Sequence, residues 1–278
     1  MVDYHIHTIF SCDSELKAGF VCSRAIEMGF SEIAFTEHLD LDPIDEGYGL
    51  YDYNALSEEI EKLRRVYNGQ LKIKKGVEVT YQKEREEEIK EFLSNKDYDF
   101  VIGSVHLVGD FDVSQKKGTK EFCEAYARKK VYDSYFEVTK SLAGSGIFDC
   151  LGHFEMIRRY ATMYIDDYSP DEFKEQIDEI LSSVAENDLA LEVNTSGMRH
   201  FPNETYPRMQ LCKRFLELGG KSVTIGSDAH LPEHIGYRIS ETMKLLLSIG
   251  LTEIALFSER KKRYRRLENI MQNRKKDK

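Results

Sequence analysis

No hydrophobic run in this 278-residue chain approaches the ~20 residues that a membrane-spanning helix needs. A secretory pattern is missing too: Met1-Val2-Asp3-Tyr4 leads directly into polar, ligand-type residues. Both absences set the expectation of a cytoplasmic protein. Cysteine is sparse. Cys12, Cys22, Cys123, Cys150 and Cys212 are odd in number, and no two stand at C-x-x-C spacing. A disulfide framework and a thiolate zinc site are therefore not expected, and the thiols read as reduced and mostly buried. Only five prolines occur, and no stretch rich in Pro, Gly or Ser divides the chain, so one domain over residues 1–278 is expected. Neither G-x-G-x-x-G nor a Walker A loop is present, which removes the usual sequence support for a dinucleotide or P-loop nucleotide site.

What is present is charge, with a formal net value of −10. An acidic protein repels nucleic acid unless its basic residues are clustered. One cluster exists, Glu259-Arg260-Lys261-Lys262-Arg263-Tyr264-Arg265-Arg266, and the chain ends Arg274-Lys275-Lys276-Asp277-Lys278. We read 259–278 as a solvated basic terminal helix and tail rather than a binding patch.

Strand and helix patterns alternate along the chain. Strands are expected at Val2–His7, Glu32–His38, Lys72–Thr80, Phe100–His106, Phe148–His153, Leu189–Thr195 and Ser222–Asp228. Helices are expected near Leu16–Met28, Asn54–Tyr67, Glu84–Leu93, Lys120–Ala143, Asp171–Glu186, Tyr206–Leu218 and Tyr237–Ser248. Ser169-Pro170-Asp171-Glu172 has helix-start chemistry, and Gly29, Gly219 and Gly250 fall where helices should stop. The alternation points to a parallel sheet, with a closed or distorted barrel and an open doubly wound sheet both compatible. Gly109–Gly118 reads as an exposed loop bordering the site.

The ligand-type residues fall at strand ends. His5 and His7 end the first strand, His38 the second, His106 the fourth and His153 the fifth; Asp228 and His230 end the seventh, and Glu78 lies near the end of the third. In a parallel α/β barrel the C-terminal strand ends meet at one mouth. Six of the eight histidines would converge there. Alternate strand residues face one side about 6.6 Å apart, so the pairs His5/His7 and Asp228/His230 can each chelate. With Asp13 there are nine candidates, imidazole and carboxylate without thiolate. That set suits zinc, iron or manganese and is too large for one ion.

The motifs His5-Ile6-His7, Asp13, Thr36-Glu37-His38, Gly76-Val77-Glu78, Ser104-Val105-His106, Gly152-His153 and Gly226-Ser227-Asp228-Ala229-His230 resemble the polymerase and histidinol phosphatase (PHP) superfamily. Thr36-Glu37-His38-Leu39-Asp40, Leu191-Glu192-Val193-Asn194-Thr195-Ser196-Gly197 and Arg159-Tyr160 resemble its histidinol-phosphate phosphatase branch. The resemblance implies a distorted, TIM-like seven-stranded (β/α) barrel, with two or three divalent metals (Zn, Fe or Mn) at the C-terminal strand ends. It implies one metal on His5, His7, Glu78 and Asp228, a second on Glu78, His106 and His153, and a third on Asp13, His38 and His230.

The implied reaction is hydrolysis of a phosphomonoester, L-histidinol phosphate in histidine biosynthesis, by a hydroxide bridging two metals. Glu78, Asp228 and His230 are the expected catalytic residues; Asp228 and His230 either carry the leaving-group proton or only tune the metals. Arg159 and Arg199 follow the fifth and sixth strands and resemble a phosphate clamp, the alternative for each being a surface salt bridge. Arg158 adjoins Arg159 and competes with it for that role. Glu37 and Asp40 are expected either to meet the substrate or to hold a metal-bound histidine. His200 and His234 match no motif and read as loop histidines. The expected partner is a small phosphomonoester, with neither nucleic acid nor membrane. Three rival functions share these residues: a PHP phosphoesterase or exonuclease acting on nucleotides or nucleic-acid ends, a non-catalytic metal-binding module, and an amide hydrolase.

Overall fold

A computed structural model describes residues 1–272; the run Arg274-Lys275-Lys276-Asp277-Lys278 lies outside the described residues. Strand β1 (Val2–Ile6) leads through helix α1 (Ala18–Glu27) to β2 (Glu32–Leu39), and α2 (Tyr53–Val66) leads to β3 (Lys72–Thr80). Helix α3 (Glu86–Ser94) precedes β4 (Phe100–Ser104), which runs into a small hairpin, β5 (Leu107–Val108) and β6 (Phe111–Asp112). Helices α4 (Lys116–Ala125) and α5 (Arg128–Gly144) precede β7 (Cys150–Leu151). After α6 (Arg158–Ala161) and α7 (Lys174–Glu186) come β8 (Ala190–Asn194), α8 (Met209–Glu217) and β9 (Val223–Gly226). Helix α9 (Ile239–Ser248), the hairpin β10 (Glu253–Ser258) and β11 (Lys261–Arg266), and α10 (Leu267–Gln272) follow.

Seven strands pair in the order β1-β2-β3-β4-β7-β8-β9, every ladder parallel. The ring nearly closes: Asp228 N–H reaches His5 O at 2.8 Å, and His7 N–H reaches Ala229 O at 3.0 Å. The doubly wound alternative is thereby excluded. Every residue of β1, β4, β7, β8 and β9 is buried, as expected where helices cover the outside. Helix α2 shows the covering pattern, burying Leu56, Ile60 and Leu63 on one stripe. Ser169 and Glu172 form a capping box where helix-start chemistry is expected, and Gly29, Gly219 and Gly250 take positive φ at helix ends. Among the described residues no helix is long and apolar enough to cross a membrane.

Three expectations need correction. The helix expected over 120–143 is two helices, broken between Ala125 and Arg128. The loop expected at 109–118 is largely the β5–β6 hairpin and the start of α4, although its Ser114 and Gln115 do line the cavity described below. Residues 261–266 form a strand, not a helix. Their hairpin spans the N-terminal ends of the barrel strands, where four of its basic residues meet oxygens. Arg263 pairs with buried Glu32, Arg260 with Asp149 at 3.0 Å, Lys262 with Asp188, and Arg265 with Ser31 Oγ at 3.0 Å. Phe257 packs on Phe100, and Phe100 on Tyr4, at ring separations of 4.7 and 5.3 Å. The basic run closes the end of the barrel opposite the histidines.

Candidate metal centre and cavity

Strand ends bring eight of the nine candidates together as the barrel geometry predicts, and the loop after β1 adds Asp13. Glu78 stands at the centre. The β2–β3 register sets it beside His38. Its Oε2 lies 3.1 Å from His5 Nε2, 3.4 Å from His7 Nε2 and 3.2 Å from His38 Nδ1. Its Oε1 lies 2.7 Å from His153 Nε2 and 3.5 Å from His106 Nε2. Each oxygen thus faces a different group of imidazoles. Asp228 Oδ1 lies 3.6 Å from His7 Nε2, and Asp13 Oδ2 lies 3.0 Å from His230 Nε2 and 3.6 Å from His38 Nε2. Four sets of three donor atoms fall within 4.8 Å: His5/His7/Asp228, His7/His38/His230, Glu78/His106/His153 and His38/Asp40/His106.

Partners on the far side of the rings decide which nitrogen faces inward. His5 Nδ1 is 2.7 Å from Glu192 Oε1, so Nδ1–H donates and Nε2 keeps its lone pair. His7 Nδ1 is 3.1 Å from Ser11 Oγ, which itself donates to Glu37 Oε2 at 2.7 Å. His106 Nδ1 is 2.8 Å from Thr80 Oγ1, whose hydroxyl donates to Asp40. His230 Nδ1 is 3.1 Å from the Asp228 carbonyl. In their neutral form four rings therefore present unprotonated Nε2 atoms to one space. Two of these, on His5 and His7, are 3.0 Å apart, and buried Glu78 Oε2 has no hydrogen-bond donor among the described residues. Facing lone pairs beside an unpaired carboxylate oxygen fit divalent cations of the borderline, nitrogen- and oxygen-binding kind.

The charge balance agrees. Burial opposes charge on His5, but Glu192, Glu78 and Asp228 outweigh it and raise its pKa well above the ordinary imidazole value. Burial likewise opposes ionisation of Glu78, yet His5 and His106 hold its pKa well below the carboxylate range. Asp228 is lowered in the same way, chiefly by His5 and His230. Buried carboxylates thus demand positive charge, which protons meet in the metal-free chain and cations meet otherwise.

A cavity of about 290 Å³ opens over these donors. Its far wall carries Arg159, Arg199, Tyr160, His200 and His234. Arg159 is the clamp candidate that lines the cavity. Arg158 turns away, 2% exposed, to Asp167 and Glu204. Arg199 donates from Nη1 to Ser227 O at 2.7 Å and from Nη2 to Asp228 O at 2.9 Å. The Nε atoms of Arg159 and Arg199 are buried without a hydrogen-bond partner among the described residues. His200 and His234, expected as loop residues, belong to this wall. Burial, then Arg159 and Arg199, depress His200 to a pKa of about 4; burial and Arg199 do the same to His234. Both are neutral near pH 7. Asp40 sits behind His106 and Glu37 behind His7, so of their two expected roles the geometry favours holding histidines over meeting substrate. Glu192 had no role in the sequence reading; the signal was a carboxylate inside the otherwise apolar run Ala190–Val193.

Fold and site define the class: a parallel (β/α) barrel with a buried histidine–carboxylate centre at its C-terminal mouth. The chain belongs to the PHP domain family, whose profile matches residues 3–196, and to its histidinol-phosphatase branch. A probable histidinol-phosphatase of Clostridium acetobutylicum is 30% identical over 266 residues, covering 94% of this chain and 98% of the relative. The histidinol-phosphatase of Lactococcus lactis is 30% identical over 259 residues, covering 92% and 94%. A crystal structure of histidinol phosphate phosphatase from Lactococcus lactis, complexed with zinc, L-histidinol and phosphate, superimposes with a TM-score of 0.84 at 29% identity, covering 94% of this chain and 98% of that one.

Proposed function

We propose that this chain is a metal-dependent phosphomonoesterase that hydrolyses L-histidinol phosphate to L-histidinol and phosphate. The observation that carries the reading is the two-sided environment of Glu78, which suits a carboxylate shared between ions. His5, His7, Glu78 and Asp228 would hold one ion, Glu78, His106 and His153 a second, and Asp13, His38 and His230 a third. Zinc is the leading candidate, because the Lactococcus lactis structure contains it and the donors suit it; iron and manganese accept the same donors. Bound divalent ions supply Lewis acidity and a hydroxide-strength nucleophile near neutral pH.

The chain's own groups do the rest. Arg159 and Arg199 orient the phosphoryl oxygens and balance charge as it builds on them. Water adds its oxygen to phosphorus as the ester P–O bond breaks, and the departing alkoxide takes up a proton. Asp228 and His230 border the cavity and would hold or pass that proton, or only tune the ions they hold. The basic run at 259–266 lies at the opposite end of the barrel, where Arg260, Lys262 and Arg263 pair with carboxylates, which favours a small phosphomonoester over a nucleic-acid end as substrate.

A screen of phosphomonoesters on protein of known metal content tests the proposal. Histidinol phosphate is the expected best substrate, and Glu78→Gln the expected null variant with its fold retained. Full activity in verified metal-free protein, or a preference for nucleotides, would overturn it.

A further inference from the structure

Arg159 and Arg199 stand on different loops. Arg159 belongs to residues 152–168 after β7, and Arg199 to residues 195–208 after β8. The second loop is closed at its base by Asn194 N–H to Tyr206 O at 2.8 Å and Tyr206 N–H to Asn194 O at 2.9 Å. Buried charges outside the cavity tie the two loops to each other. Glu155 is fully buried and has a left-handed backbone, φ +80°. A non-glycine residue stays in that conformation when its surroundings over-determine it. Its Oε2 accepts the Arg208 backbone N–H at 2.7 Å, its Oε1 accepts Arg208 Nε–H at 2.8 Å, and the Tyr168 hydroxyl donates to the same Oε1. Arg158 forks onto Asp167, with Nε 3.0 Å from Oδ1 and Nη2 2.6 Å from Oδ2, and its Nη2 also reaches Glu204 at 2.9 Å. Glu155 and Arg158 therefore each bridge from the first loop to the second. Arg158 does so from the position next to Arg159.

Closing the barrel does not require these bridges, because the strand ladders and the bonds between His5 and Asp228 and between His7 and Ala229 already do it. What the bridges determine is the relative position of two loops, each carrying one arginine of the cavity wall. Two guanidinium groups can share one phosphoryl group only if their separation is held to within about 0.5 Å. We infer that Glu155 and Arg158 are positioning residues that set the spacing of Arg159 and Arg199, and with it the affinity of the cavity for a phosphoryl group. The inference rests on reading Arg159 and Arg199 as the phosphate-binding wall.

Inorganic phosphate, used as a competitive inhibitor of the metal-loaded enzyme, probes this directly. Glu155→Gln keeps the side-chain shape but removes one acceptor oxygen; Arg158→Lys keeps the charge but removes the fork. Assayed well below each variant's Tm, both should raise the phosphate Ki and the substrate KM by roughly tenfold or more, while metal content stays at the wild-type level. Arg159→Ala is the reference and should raise the same Ki. If Glu155→Gln does not fold, Arg158→Lys carries the test. Lowered Tm with wild-type Ki and KM in these variants, beside a raised Ki in Arg159→Ala, would overturn the inference and leave the wall intact. An unchanged Ki in Arg159→Ala would overturn the wall, and this inference with it.

Discussion

Glu192 shows how one side chain can serve two histidines. Its Oε1 accepts His5 Nδ1–H at 2.7 Å; its Oε2 accepts the His153 backbone N–H at 2.7 Å and Asn194 Nδ2–H at 3.1 Å. Three donors need a carboxylate, because an amide accepts on one atom and donates on the other. Close packing also restricts the site: a Cβ on Gly226 would lie 2.4 Å from Glu192 Oε1 and 2.4 Å from His5 Cβ. In Glu192→Gln an N–H group must face another donor. His5 then loses its tautomer restraint or His153 its backbone anchor. Metal affinity, read by competition with a coloured chelator, should fall roughly 10- to 100-fold. Wild-type affinity would show that His5 is oriented by other contacts.

At the scale of elements, the β10–β11 hairpin is the part whose chemistry was legible and whose shape was not. Lys261 to Arg266 is a charge run with no apolar alternation, so no sequence period marks it as a strand. Its conformation comes from its partners: β10 pairs with it residue for residue, and Glu32, Asp149 and Asp188 at the strand starts receive its cations. Glu32 is fully buried and otherwise has the Tyr4 hydroxyl at 2.6 Å. Arg263→Met should therefore lower stability by about 1–3 kcal/mol, the cost of a buried charged group losing a partner. The urea midpoint measures it. The paired variant Glu32→Gln/Arg263→Met should recover part of the loss, and a midpoint unchanged in the single variant would refute the role. The opposite case is β7. It is only two residues long, inside the six residues Phe148–His153 that the sequence marks, and Gly152-His153 follows its end.

On the scale of the whole molecule, the metal centre draws on β1, β2 and β3 and on the residues that follow β1, β4, β7 and β9, so its contacts join distant parts of the chain. A ligand that binds only the folded state stabilises it by mass action, about 2.7 kcal/mol at a concentration 100 times Kd. For a chain of this size that is a Tm difference of roughly 4–5 °C. Thorough chelation should lower Tm by this order, and return of the metal should restore it, as followed by calorimetry. Equal Tm values with and without metal would mean that the nine donors do not act together on a bound ion. Acidification should act in the same direction as chelation, since protonated imidazoles and carboxylates cannot ligate.

The sequence by itself determined the alternation of seven barrel strands with helices and the placement of eight metal-binding candidates at or just past strand ends, with Asp13 in the loop after the first. These are local properties: a two-residue period within a strand and a ligand-type residue at its end can be read without knowing what packs nearby. Tertiary structure decided the rest. It closed the sheet into a ring, turned Arg159 toward the cavity and Arg158 toward Asp167 and Glu204, and moved His200 and His234 from loop residues to cavity wall. It also folded the basic run beneath the barrel. In each case the outcome depends on groups far away in the chain, as for Arg263 and Glu32, which are 231 positions apart. No local pattern encodes which of two neighbouring side chains such a partner will take.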